Sequence, residues 1–475
     1  MHKFLIFLLL LWLPAASISA EDIDYSQGVL FINEDWYGHQ NSTVNYLLPD
    51  DPDGDYWHYR VIQKENPGME LGCTNQYGAI WRGRLYLIAK QEKDPGADIT
   101  GGRITIANAR TMKIIKQMEL IDPSGNQCDG RAFCGVSDTK GYVSSSNGIW
   151  ILNLATLEIE GQVEGSENPN VGGDSDKPNT DPTSSLYFGQ TGTMILAEGK
   201  VFAVHQQYGL LVIDPQTDRV SQVLDMGIIE SETGHADAGI GSTLVRSKDG
   251  NIWYSVAKNV QGTGTTLPYL IRLDPLTLER EVIQIEGEDV YPPSNSWYAW
   301  TPDPFCASAV TNRLYWCGGP NSWFTNYRVY RYDIDSRRLE KILDFSEEEG
   351  DWHIYGCSLG IHPATDELYA SMFHKFVDPT YVTRRFDADG NLIKEYPMIS
   401  NYWFPSLPVF PQFSNEESSV ADIEADSRRI SIVNLQGRRV YSGVLSGSDG
   451  ESYPPLSPGV YIITIGDTSK KVIIK

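Results

Sequence analysis

The stretch 209–227, GLLVIDPQTDRVSQVLDMG, decides the fold. It reads as two short strands joined by a tight turn at Asp214-Pro215-Gln216-Thr217-Asp218. Proline presets φ for such a turn, and an aspartate carboxylate can accept from the amides that follow it. Apolar residues alternate on both sides, the period-two signature of half-buried strands. The unit returns along the chain: RITIANARTMKIIKQMEL at 103–120, GIWILNLATLEIEGQVEG at 148–165, YLIRLDPLTLEREVIQIEG at 269–287, RVYRYDIDSRRLEKILDF at 328–345 and YVTRRFDADGNLIKEYPM at 381–398. A looser copy lies within 41–65, centred on YLLPDDPDGDYWHYRVI. An all-β unit recurring about every 45–60 residues means propeller blades.

Between these outer hairpins lies a second pair of strands. Its later member repeats as RLYLIA (84–89), KGYVSSS (140–146), KVFAVH (200–205), NIWYSV (251–256), RLYWCG (313–318) and ELYASM (367–372), each preceded by a turn. Each blade is therefore four strands, A to D. The missing inner pair is supplied by the two ends: GVLFINE (28–34) is one strand, and Trp403–Phe410 holds its neighbour. Sharing one sheet between the first and last strands closes a ring and removes its free edges. The fold class expected is all-β, a seven-bladed β-propeller over 21–413 followed by a small C-terminal β-sandwich-like domain.

In a meander, turns alternate between the two ends of the strands. The A–B and C–D turns share one face, and they are short. The generous connections fall at B–C or D–A and share the other face, including 91–102, 164–190, 226–241 and 286–304. Long loops on a rigid scaffold are where binding concentrates.

Aromatics collect on that face. Trp36 and Tyr37 follow the first strand, Tyr187 and Phe188 close a long acidic loop, and Gln206 and Tyr208 end a B strand. Trp297, Tyr298 and Trp300 share one D–A loop, with Trp323, Trp352 and Tyr355 in the next blades. His374, Tyr402 and Trp403 complete the circuit. Rings with polar tips and little entropy to lose favour ligand contact, so these residues form the expected ligand-binding set.

Other chemistry is excluded or unassigned. A formal net charge of −24 argues against nucleic acid as partner. H-E-x-x-H, G-x-S-x-G and P-loop patterns are missing, so no catalytic residue is assigned. His205, His353 and His374 read as separate strand-end histidines rather than a metal site. The loop 168–181, NPNVGGDSDKPNTD, lacks the ligand spacing of a calcium loop. No cofactor is expected.

Residues 1–20 read as a signal peptide: His2 and Lys3, an apolar run, then small residues before Glu21. No cysteine follows that region to carry a lipid. Among six cysteines, Cys306 and Cys317 flank a hairpin, and a two-residue turn at Thr311-Asn312 would set them opposite one another as a disulfide. Cys128 and Cys134 are placed to clip a loop. The segment 414–427 reads as a polar, acidic linker.

The last stretch, 428–475, is basic where the ring is acidic. Ile432-Val433-Asn434-Leu435-Gln436-Gly437, Leu456-Ser457-Pro458-Gly459-Val460-Tyr461 and Lys470-Lys471-Val472-Ile473-Ile474-Lys475 resemble the C-terminal sorting domain of the type IX secretion system. The resemblance implies export to the cell surface of a Bacteroidota-type envelope, with that secretion machinery as partner. The body, through GVLFINE, LVIDPQTDRV, LIRLDPLTLE and WFPSLPVF, resembles the YncE-like propellers of Bacteroidota, including the DUF5074 group. Its layout is similar to the BtuG-type surface propellers, which implies a corrinoid as ligand and an outer-membrane transporter as partner. Those relatives are lipid-anchored, whereas this chain carries a sorting tail. The expected function is a secreted or cell-surface, non-catalytic propeller that captures a small molecule, a corrinoid or a glycan, on its aromatic loop face. The alternatives are a propeller lyase or glycoside hydrolase acting on extracellular polysaccharide, or a protein-interaction scaffold.

Overall fold

The repeat that alternation predicts is a four-stranded antiparallel meander, and a computed structural model contains seven such sheets in chain order, the fifth and seventh each with one further short strand. It describes residues 23–171, 187–226, 238–258, 266–287, 289–293, 301–319, 325–375 and 379–413, together with 429–434, 439–444, 458–465 and 468–474. The expected signal peptide (1–20) and linker (414–427) lie outside the described residues.

The fourth sheet shows the plan: Thr191–Ala197, Lys200–His205, Gly209–Asp214 and Arg219–Leu224, from inside outwards. The deciding hairpin is its outer pair. Asp214 Oδ1 accepts from the Gln216 amide at 2.9 Å, and Asp218 closes the turn with φ +54°. Asn108, Asn153, Asp274, Asp333 and Asp387 open the other outer turns in the same way, each accepting from amides two to four residues on. This short acceptor chemistry is why the outer turns stay tight.

The first sheet closes the chain on itself. Val29–Asn33 pairs with Thr43–Leu47 on one side and with Pro405–Val409 on the other, Leu30 lying opposite Val409. Its outer strand is only Trp57–His58, and Val61–Glu65 is a short helix rather than more strand. This explains the looseness of that copy.

Burial ties the sheets into a closed succession. Leu30 and Ile32 of the first sheet share a core with Leu85 and Leu87 of the second. Tyr86 and Ile88 meet Val143 and Trp150 of the third, and Tyr142 and Ile149 meet Val201 and Leu211 of the fourth. Phe202 and Val204 join Ile252 and Tyr254 of the fifth, and Trp253 joins Trp316 of the sixth. Tyr315 and Cys317 join Leu359 and Ala370 of the seventh, whose Tyr369 and Tyr396 return to Val29 and Phe31. The architecture is propeller-like.

The connections divide as the meander requires. On the face of the A–B and C–D turns they are short, such as 82–83, 198–199 and 215–218; the exception is 48–56 in the first sheet. The opposite face carries longer ones, 92–103 and 119–129 among the wholly described connections.

Two expectations are corrected. Cys306 and Cys317 are not paired, and all six cysteines, Cys128 and Cys134 included, are free. The inner hairpin of the sixth sheet turns over 308–312, so Cys306 faces Tyr315 and the Cys317 amide bonds to the Pro304 carbonyl. Ser308 sets the longer turn: its Oγ accepts from the Val310 and Thr311 amides and donates to Asp366. At the C-terminus the described residues form one four-stranded antiparallel sheet, Arg429–Asn434, Arg439–Val444, Gly459–Ile465 and Thr468–Ile474. Its apolar side gathers Ile432, Tyr461 and Ile463.

Candidate functional site

The innermost strands are irregular at one level. Register slips between Asn75 and Tyr77, Gly130 and Ala132, Thr191 and Met194, and Ile354 and Leu359. Beside Pro405–Val409 it slips between Ile32 and Asn33, leaving Ser406 unmatched. In the fifth sheet the inner strand is broken between Ile240 and Val245. Bulges re-aim side chains and cluster near functional sites. The residues left over here are mostly polar: Gln76, Arg131, Thr193, Ser242 and Ser406, all buried. Thr74, just before one slip, has φ +55°, a costly conformation for a β-branched residue.

These residues bond from sheet to sheet. Ser406 Oγ lies 3.1 Å from the Ile32 carbonyl and 3.2 Å from the Asn75 carbonyl, joining the first sheet to the second. Arg131 donates from Nε and Nη2 to Gln190 Oε1 at 3.0 and 2.6 Å, joining the third to the fourth. The Thr193 amide donates to the Ser242 carbonyl at 3.1 Å. Ser242 and Asp303 exchange amide bonds across the next boundary, and Cys357 Sγ donates to the Pro302 carbonyl at 2.9 Å. Tyr77 donates its hydroxyl to the Phe133 carbonyl at 2.9 Å.

Inside this belt lies a cavity of about 280 Å³ whose wall comes from six of the seven sheets. Gln76 and Tyr77, Thr193 to Ile195, Thr243 and Leu244, Pro302, Asp303, Phe305 and Cys306, Cys357 and Leu359, and Leu407 line it. At its loop-side end, Gln76 Nε2 donates to Glu34 Oε2 at 2.5 Å, and the Tyr355 hydroxyl donates to the same oxygen. Burial, reinforced by Glu34, holds the Tyr355 phenol well above its ordinary pKa, so it stays a donor. Lys90 lies near this group. Desolvation lowers its ammonium to a pKa of about 8, opposed by Glu34 and Asp129 and aided by Arg131. Asp129 and Arg131 are themselves buried, 3.8 Å apart.

The predicted aromatic set divides. Tyr355 and Trp403 are buried with Phe373, Tyr381 and Phe404 in a core of their own, where Trp403 stacks on Tyr59. Trp36 borders that core and, half-exposed, meets His39 at 4.7 Å and Tyr402 at 5.3 Å. Tyr37 and Phe188 are exposed, Tyr187 is buried, and Gln206 is buried under the Gly189 and Gln190 amides. Tyr208 stacks on the buried His205 at 4.1 Å. Trp352 meets His374 at 4.7 Å, with the Arg384 guanidinium over its ring. Trp297, Tyr298, Trp300 and Trp323 lie outside the described residues. No cluster of three histidine, cysteine or acidic side chains suited to a metal exists among the described residues, and none of their helices could cross a membrane.

Sequence reasoning missed Glu34, Gln76, Lys90, Asp129 and Arg131. The available signal was polarity inside strands that should be wholly apolar, as in CTNQYG (73–78) and CDGRAF (128–133).

The fold and its axial site define a propeller-like β protein with one elaborated face. Residues 27–411 match the model of the family described as a domain of unknown function, DUF5074, and the chain belongs to that family. No curated protein matches it. Among solved structures, a Bacteroides caccae protein of unknown function is 13% identical, with TM-score 0.33, covering 62% of this chain and 89% of its own. Another, described as the extracellular domain of a hybrid two-component system of B. thetaiotaomicron, is 9% identical with TM-score 0.37; 86% of this chain matches 56% of it.

Proposed function

We propose that each of the seven sheets is a propeller blade and that the protein is an exported, non-catalytic binding domain. It captures a small molecule, a saccharide in the first instance, at the mouth bearing the long connections. One observation carries this reading: six of the seven sheets contribute to the wall of a single cavity, beside the level at which the inner strands bulge and turn polar residues inwards. Ligand cavities start at about 300 Å³, so this one has room for a single ring or side branch. A corrin macrocycle would have to lie across the mouth. The cluster of half-exposed Trp36 and Tyr402 with exposed His39 favours that second reading.

Export follows from the sequence of 1–20, and surface attachment from the sorting-type tail at 428–475. The secretion machinery and an outer-membrane transporter are the partners this reading supplies.

The test incubates the full chain with a glycan array and, separately, with cyanocobalamin before gel filtration. Retention on saccharides with colourless protein fractions is expected. Red colour travelling with the protein would establish the corrinoid reading instead. Binding of neither would overturn capture at this face, and shortened glycans after incubation would overturn the non-catalytic reading.

A further inference from the structure

We infer that the axial cavity seats an uncharged, hydroxyl-bearing group and rejects an anionic one, so that the captured saccharide is neutral rather than acidic. The inference rests on the saccharide reading above and adds the ligand's charge.

The orientation of Gln76 is fixed from outside the cavity. Its Nε2 donates to Glu34 Oε2 at 2.5 Å and reaches Thr301 Oγ1 at 3.5 Å. Carboxylate oxygens only accept, so the amide cannot be reversed. That leaves Gln76 Oε1 buried with no partner, in a residue 2% exposed that lines the cavity. Thr243 Oγ1, on the same wall, is also buried without a partner. Native interiors rarely leave such atoms unpaired, so each marks a place where something else bonds.

The rest of the wall is largely apolar, and its other polar groups are engaged. Asp303 turns its carboxylate to the Ser242 amide at 2.6 Å. The Thr193 hydroxyl accepts from the Leu244 amide at 2.7 Å. The two thiols are spent, Cys306 on the Leu359 carbonyl and Cys357 on the Pro302 carbonyl. No lysine or arginine is among the lining residues. A sugar hydroxyl can donate to Gln76 Oε1 and accept from Thr243 Oγ1, while Met194, Leu244 and Leu359 cover the C–H face of the ring. A carboxylate or sulfate would meet Gln76 Oε1 and the Asp303 carboxylate on the wall, with one free hydroxyl, that of Thr243, to bind it. Burying an anion without paired donors is strongly unfavourable.

The experiment compares methyl glucoside, methyl galactoside and N-acetylglucosamine with glucuronic and galacturonic acids on the full chain at pH 7. Calorimetry and saturation-transfer NMR provide the readouts. Neutral sugars should bind at least about tenfold more tightly than the matching acids. Thr243→Val should weaken the neutral sugars by about tenfold with an unchanged thermal midpoint. Gln76→Met, checked for folding by circular dichroism, should do the same. Acids binding as tightly as neutral sugars, or neutral-sugar affinities unmoved in both variants, would overturn the inference and leave the saccharide reading standing. Binding of no sugar of either kind would overturn the saccharide reading itself.

Discussion

Ser242 and Asp303 hold each other across the boundary between the fifth and sixth sheets: the Ser242 amide donates to Asp303 Oδ2 at 2.6 Å, and the Asp303 amide donates to Ser242 Oγ at 2.9 Å. Both are buried, so neither bond can be exchanged for water. Asp303→Ala should cost about 2–3 kcal/mol, the penalty for an orphaned buried amide bonded to a charged group. The midpoint of urea unfolding measures it, and a loss under 0.5 kcal/mol, within the range of ordinary surface changes, would contradict the belt as a structural joint.

Arg131 and Asp129 carry a second joint. Both are fully buried, and Arg131 also donates to Gln190 and to the Gly130 carbonyl. Arg131→Met should destabilise by roughly 3–5 kcal/mol, because it removes the cation beside the buried Asp129 carboxylate and leaves it with the Gln127 side-chain amide as hydrogen-bond partner. Adding Asp129→Asn should return part of that loss. A double-mutant cycle by chemical denaturation reads the coupling, and strictly additive losses would refute it.

His205 makes stability depend on pH. Burial lowers its pKa to about 4, and its Nδ1 accepts from the Gln207 and Tyr208 amides, which only a neutral ring can do. The unfolded histidine titrates near 6.5, so between about 6.5 and 4 the unfolded chain binds the extra proton. This contribution is fully present above the unfolded value and is lost as pH falls through that window, by roughly 3 kcal/mol in all. His205→Asn keeps an acceptor in a similar place without the titration. Its unfolding midpoint should therefore fall less steeply from pH 6.5 to 4 than that of the wild type; parallel curves would refute the assignment.

The cysteines give a chemical check. All six are free, and burial raises the thiol pKa of Cys128, Cys134 and Cys306 to about 12. A disulfide reagent should label almost no thiol in the native protein and all six in denaturant. A reductant should leave the thermal midpoint unchanged. Fewer than six thiols in denaturant would reinstate a bridge.

Much of the fold was legible because its signals are local. The outer turns announce themselves through an aspartate or asparagine that accepts from its own next residues, as Asp214 does. Pro405–Val409 could be placed beside Val29–Asn33 because a ring leaves one inner position unfilled. The site was harder. Alternation assigns a face only while register holds, and the slips around Gln76, Arg131 and Ser406 turn polar residues inwards at points where the count fails. Cys306 missed Cys317 for a similar reason, since Ser308 builds a longer turn than two residues. The aromatic circuit was legible as composition but not as surface: Trp403 and Tyr355 close the seam between the seventh and first sheets, and no spacing rule separates a ring packed under a loop from one offered to a ligand.

The proposed ligand enters from the loop-bearing end and reaches the belt. Crystals of the full chain soaked with methyl glucoside or methyl galactoside test it most directly. Sugar density is expected in the axial cavity, with hydroxyls within hydrogen-bond distance of Gln76 Oε1 and of Thr243 Oγ1. Density confined to the short-turn face, or an axial cavity unchanged at saturating sugar, would contradict it.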